Sequence, residues 1–98
     1  MLEQQTDASV RLDIWLWRAR FYKTRKLSAE QIAKKGVRLS RQGIIRRTNK
    51  PGTTIAVGDV VTFGKSVHIR SVEVLAIGKR RGPPEEAKGL YRDWEDDL

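Results

Sequence analysis

The chain has 98 residues, with 20 Lys plus Arg, 12 Asp plus Glu, one His, no Cys, a formal net charge of +8 and a sequence pI near 10.3. That length allows one small domain and excludes a catalytic domain with an accessory module beside it; the lack of cysteine excludes a disulfide framework, a thiolate zinc site and a cysteine nucleophile. The longest apolar runs, such as residues 55–63, are too short to span a bilayer, and the polar, acidic opening is unlike a leader, so a cytoplasmic protein with no membrane partner is expected.

Residues 1–9 carry no apolar periodicity and are expected to form a disordered acidic tail. Leu12, Trp15, Leu16 and Ala19 then recur at i, i+3, i+4 and i+7, which predicts a helix from Val10 to Arg20 with Asp13 in its first turn, where the helix dipole favours an acid. A second helix is predicted from Arg25 to Lys35, ended by Gly36, with Lys34 and Lys35 in its last turn adding to the basic surface. Two starts compete for it: Thr24 as N-cap, or Ser28 with Gln31 as a capping box.

After Gly36 the pattern becomes strand-like. Short β-branched runs predict strands at Val37–Leu39, Gly43–Arg46, Thr54–Val57, Val60–Phe63 and Val67–Ile77, with turns at 49–52 and 58–59. In the last run Val72, Val74 and Ala76 share one face, and Glu73 and Leu75 the other. Residues 78–84 form a basic hinge, and Pro84 to Trp94 reads as a short helix with Glu85 and Glu86 at its start and Ala87, Leu90, Tyr91 and Trp94 at helical spacing.

The charge is unevenly spread. Residues 1–9 carry −2, residues 10–82 carry 18 bases against 4 acids for +14, and residues 83–98 carry −4. Between Arg11 and Lys50 there are 13 bases and only Asp13 and Glu30 against them, a density whose self-repulsion destabilises a compact domain unless a polyanion relieves it. Arg and Lys here are interleaved with aromatic residues, a mixture that suits phosphates and bases and that solubility alone does not require. Trp17 lies off the first helix's apolar face, either to pack on the sheet or to stack on a base, and Phe21 or Tyr22 is a second stacking candidate. Asp13 is expected to pair with and orient a neighbouring Arg. His68 has no partner for metal or triad chemistry, and the acid pairs 85–86 and 96–97 read as a helix start and a solvated tail, so no catalytic constellation, metal site or cofactor is expected.

Arg11-Leu12-Asp13, Trp15-Leu16-Trp17, Arg20-Phe21, Lys23-Thr24-Arg25, Gly36-Val37-Arg38, Lys50-Pro51 and Gly58-Asp59 together resemble the alpha-L motif, the RNA-binding domain of small ribosomal subunit protein four. The WLW and RFYKTR segments and the C-terminal GKRRGPPEEAKGLY narrow the resemblance to the fifteen-kilodalton heat-shock protein family, stand-alone bacterial proteins of this type that bind ribosomal RNA. The resemblance spans residues 10–91. It implies an α+β fold of two packed N-terminal helices, a small curved antiparallel sheet and a short C-terminal helix, with an alpha-L domain over 10–78 and a hinge, helix and acidic tail over 79–98.

It also favours Thr24 over Ser28 as the helix start, and it implies an RNA surface on Arg11, Asp13, Arg20, Lys23, Thr24, Arg25, Arg38 and Lys50. The basic stretch read directly from the residues adds Arg18, Lys26, Arg41, Arg46 and Arg47. The implied partner is structured ribosomal RNA of the large subunit, especially subunits carrying a stalled nascent chain on transfer RNA, bound by a monomer. Where many family members have Val-Asn-Gly at a hairpin tip this chain has Leu39-Ser40-Arg41, and because Ser-Arg makes a poor two-residue turn a longer hairpin loop is expected. A DNA-binding regulator and a protein-interaction module that docks through the C-terminal helix and acidic tail are the alternative functions.

Overall fold

The computed structural model describes residues 9–95; residues 1–8 of the tail expected over 1–9, and the acidic end at 96–98, lie outside the described residues, while Ser9 opens a strand. The elements are β1 (Ser9–Arg11), α1 (Leu12–Arg18), α2 (Arg25–Lys35), β2 (Val37–Arg41), β3 (Ile44–Thr48), β4 (Thr54–Ala56), β5 (Val60–Lys65), β6 (His68–Val74), α3 (Pro84–Ala87), a 3-10 turn (Lys88–Leu90) and β7 (Tyr91–Asp93). An antiparallel sheet runs in the order β3-β2-β5-β6-β7, and β1 pairs separately with β4.

The first helix is shorter at its start than periodicity suggests. Ser9, Val10 and Arg11 are extended and pair with Ala56, Ile55 and Thr54, so the helix opens at Leu12. Its first amides are satisfied from a loop, Leu12 N–H donating to the Thr53 carbonyl at 2.7 Å and Asp13 N–H to the Pro51 carbonyl at 3.1 Å. The apolar stripe begins at Leu12 in either case, which is why spacing alone could not see the strand before it.

The second helix spans Arg25–Lys35 as predicted, and Thr24 caps it: its hydroxyl oxygen accepts from Leu27 N–H at 3.0 Å. Ser28 has a different role. It is fully buried and its hydroxyl donates to the Asp13 carbonyl at 2.9 Å, tying α2 to α1.

Leu12, Trp15 and Leu16 on α1 and Ile32 on α2 bury against Val37, Leu39, Val61, Phe63, Val72 and Val74 from one sheet face. Burying each such side chain contributes about 1.5–3 kcal/mol. The Trp15 indole N–H donates to the Ala76 carbonyl at 2.9 Å, so its polar edge is satisfied inside the core. The alternation read in the sequence at residues 72–75 holds, with Val72 and Val74 buried, Glu73 half-buried and Leu75 exposed.

Two expectations are corrected. The hairpin joining β2 to β3 has a tight two-residue tip, Gln42-Gly43, with φ of 52° and 82°, the left-handed pair that matches strand twist; Ser40 and Arg41 are paired strand residues opposite Ile45 and Ile44. The predicted C-terminal helix ends at Ala87 and passes through the 3-10 turn into β7, which pairs with β6 through Tyr91↔Val74, Glu73↔Arg92 and Asp93↔Val72. Gly89 weakens helix continuation, and the free edge of β6 offers backbone partners that a solvated helix end lacks. Leu75 and Ala76 N–H both donate to the Leu90 carbonyl, and Leu90 joins the core.

Candidate nucleic-acid interface

The structure sorts the predicted site residues into groups with different surroundings. Lys23, Arg25 and Lys26 stand exposed at the start of α2, beside the Thr24 cap. No acid occupies that first turn, so three cations crowd the positive pole of the helix, each unfavourable by about 0.3–1 kcal/mol at low salt. At the other end of α2, Lys34 and Lys35 are favourably placed and meet the β2–β3 hairpin.

There an open cleft of about 340 Å³ is lined by Ala33, Lys34, Lys35, Gly36, Arg47, Thr48 and Asn49. A second, of about 220 Å³, shares Lys35, Gly36 and Arg47 and adds Arg38 and Thr62. Gly36 allows this meeting: its φ of 77° turns the chain out of α2, and a side chain there would stand 3.6 Å from the Arg47 guanidinium. Arg38 and Arg47 are directly opposite one another in the hairpin register, and Lys50 follows just beyond β3. Among the described residues no carboxylate pairs with any of these cations.

Arg11 and Arg41 are held instead by acids. Arg11 donates from Nε and Nη2 to the two oxygens of the buried Asp13 carboxylate at 3.0 and 2.9 Å, which raises the Arg11 pKa through the hydrogen bonds and then the charge. This is the orienting pair expected for Asp13. Arg41 makes the same fork to Asp59, both bonds at 2.8 Å, at the base of the hairpin tip. Burial by itself would raise the Asp59 pKa; the Arg41 hydrogen bonds, the Ala56 amide and the charges of Arg41 and Arg46 outweigh it and hold the carboxyl below its ordinary value. Arg46, the neighbouring hairpin cation, is exposed.

Arg18 and Arg20 do not join the cleft. Arg18 Nη1 donates to the carbonyls of Ile77 and Gly78 at 3.3 and 2.9 Å, and its Nε is buried without a partner among the described residues. Arg20, at φ 68°, donates from Nε to the Gly82 carbonyl at 2.7 Å. Arg81 returns the contact, its Nε donating to the Trp17 carbonyl at 3.2 Å. These three arginines clasp the basic hinge to the end of α1.

Trp17 is half-buried, with Arg25 and Arg81 each 5.9 Å from its ring centroid, so its faces are taken by cations. Phe21 and Tyr22 are corrected from stacking candidates to core residues. Phe21 packs 5.0 Å from Phe63 and 4.7 Å from Tyr91, the Tyr22 hydroxyl donates to the Gly64 carbonyl at 3.3 Å, and burial pushes the Tyr22 phenol up. Lys34 and Lys35, read from the sequence as last-turn cations that add to the basic surface, line the cleft; the KKG signal was present, but its relation to Arg47 depends on the hairpin.

Among the described residues no group of three His, Cys, Asp or Glu is arranged to hold a metal, and no helix is long and apolar enough to cross a membrane.

No family model matches the chain. It is 36% identical over 94 residues to a heat shock protein 15 homolog of Aeromonas salmonicida, covering 96% of this chain and 67% of the relative. Heat shock protein 15 of Escherichia coli K12 is 36% identical over 92 residues, covering 94% and 65%. The chain belongs to the heat shock protein 15 family.

A structure of Vibrio cholerae heat shock protein 15, described as trimeric, superposes with a TM-score of 0.74 at 32% identity, covering 88% of this chain and 82% of that one. The heat shock protein 15 fold is thus the alpha-L-like α+β arrangement found here. The chain spans about two thirds of the length of the Aeromonas and Escherichia heat shock proteins 15 that it matches.

Proposed function

We propose that this chain is a non-catalytic, cytoplasmic RNA-binding protein that grips structured ribosomal RNA of the large subunit, including subunits that carry a stalled nascent chain on transfer RNA. The observation that carries this reading is the cluster of Lys34, Lys35, Arg38 and Arg47 around Gly36, with no carboxylate partner among the described residues. Lys23, Arg25 and Lys26 extend the basic surface along α2 to its other end. The forks of Arg11 on Asp13 and Arg41 on Asp59 hold two further guanidinium groups in fixed orientations elsewhere on the basic body.

Phosphates meet Lys and Arg in the cleft, and recognition follows RNA shape and 2′-hydroxyl positions more than base sequence. Neutralising about four phosphates makes affinity fall roughly 100-fold between 50 and 200 mM salt. The test is a filter-binding titration of structured ribosomal RNA across that range, with duplex DNA as competitor. A salt-insensitive dissociation constant overturns the reading, and tighter binding to DNA favours the regulator instead. Sedimentation of ribosomes from a lysate then locates the natural target; protein found only in the free fraction at low salt argues against the large subunit. Analytical ultracentrifugation distinguishes the proposed monomer from a trimer like that described for the Vibrio relative.

A further inference from the structure

We infer that the solvent face of the five-stranded sheet is a second RNA surface, which takes a short unpaired strand leaving the structured RNA held in the cleft and uses Trp94 as its stacking platform; this rests on the RNA-binding reading above. One face of the sheet buries Val37, Leu39, Val61, Phe63, Val72 and Val74. Strand alternation puts their neighbours on the other face, where none is fully buried.

The register lines up a row on that face: Arg47 opposite Arg38, Arg38 opposite Thr62, and Thr62 opposite Ser71. Trp94 N–H donates to the Ser71 carbonyl at 2.9 Å, which continues the β6–β7 ladder by one residue and puts Trp94 at the far end of the row. Five strands at their usual spacing make the row about 19 Å long. Trp94 is 43% exposed, and beside the row Ile69 is 78% exposed and Ile45 62%, an apolar content that nothing covers among the described residues.

Three features select a nucleic-acid strand as the occupant. The smaller cleft, with Lys35, Arg38 and Arg47, opens directly onto Thr62, Gly64 and Ile69 of this face, so the two surfaces are continuous. Among the described residues the acid of this face, Glu73, is paired with Arg92 at 2.6 Å, which leaves Arg38 and Arg47 to set the sign there. The row then offers cations at one end, the Thr62 and Ser71 hydroxyls 2.8 Å apart in the middle, and an indole at the other, the set that backbone phosphates, 2′-hydroxyls and a base plane require.

The test compares two RNAs, a flush hairpin and the same hairpin with about six unpaired nucleotides, a length within the range that one small β-domain covers. With the extended hairpin, Trp94→Ala lowers affinity about 5- to 100-fold and Trp94→Phe recovers most of it, while the flush hairpin binds both variants as it binds the unaltered chain. Equal affinity of the unaltered and Trp94→Ala proteins for the extended hairpin overturns the proposal. So does an assembly in ultracentrifugation that Trp94→Ala dissolves while RNA binding stays unchanged, since the face is then a contact between copies. Failure of the unaltered chain to bind even the flush hairpin overturns the cleft reading instead, so the two failures are separable.

Discussion

Arginine works differently at the two edges of the sheet. At the β2–β3 edge, Arg38, Arg46 and Arg47 have no carboxylate partner among the described residues, and Arg38 and Arg47 gather with Lys34 and Lys35 around one turn. At the β6–β7 edge, Arg70 pairs with Asp93 at 2.7 Å and Arg92 with Glu73 at 2.6 Å, while Arg80 in the hinge pairs with Glu86 at 2.6 Å. The acids that give residues 83–98 their negative charge are thus partly spent on the body's own arginines. A Lys or Arg count cannot tell a binding face from a self-neutralised one; pairing can. The same contrast weakens the protein-interaction reading, since Glu86 and Asp93 of the proposed acidic docking surface are already occupied.

The largest expected effect separates the two edges directly. Replacing Lys35 and Arg47 together by Ala weakens RNA binding about 10- to 100-fold and makes the salt dependence shallower by about two phosphates, read by fluorescence anisotropy. The matching double change at Arg80 and Arg92 leaves affinity for a flush hairpin unchanged and barely moves the urea midpoint, because exposed ion pairs are screened by solvent. Equal loss of affinity in both double variants would erase the distinction between the edges.

Asp59→Asn is next. It removes the charge that receives the Arg41 fork and the Ala56 amide, and is expected to cost about 1–3 kcal/mol in denaturant unfolding. Because the folded Asp59 carboxyl is held below its ordinary pKa, its contribution is fully present above the unfolded value near 4 and is lost as pH falls through the lowered one. The Asn variant should therefore show a flatter stability profile below about pH 4 than the unaltered chain. The smallest effect is at the exposed cap: Thr24→Ala should cost about 1 kcal/mol, seen as a lower urea midpoint, with the cleft intact.

Much of the fold was legible because it depends on local pattern. Helix spacing located Leu12, Trp15 and Leu16, and KKG located the end of α2 to the residue. What failed was decided by distant strands. Val10 and Arg11 look helical until β4 pairs with them, and Tyr91 and Trp94 keep helical spacing until the edge of β6 draws the chain into β7. The hairpin tip lies one step beyond Ser40-Arg41, at Gln42-Gly43, a pair suited to left-handed conformations.

The candidate site divides in the same way. Its charge is a property of composition, and the sequence by itself determined that the body is strongly basic between Arg11 and Lys50, that it lacks cysteine chemistry, and where its two helices run. Only the tertiary structure decided which cations stand together. Arg18 and Arg20 are adjacent in sequence to the site residues yet donate to carbonyls of residues 77–82, whereas Lys35 and Arg47, twelve residues apart, share a cleft. The physical reason is that charge is carried by each residue alone, while its availability depends on which hydrogen-bond acceptors the fold brings within reach.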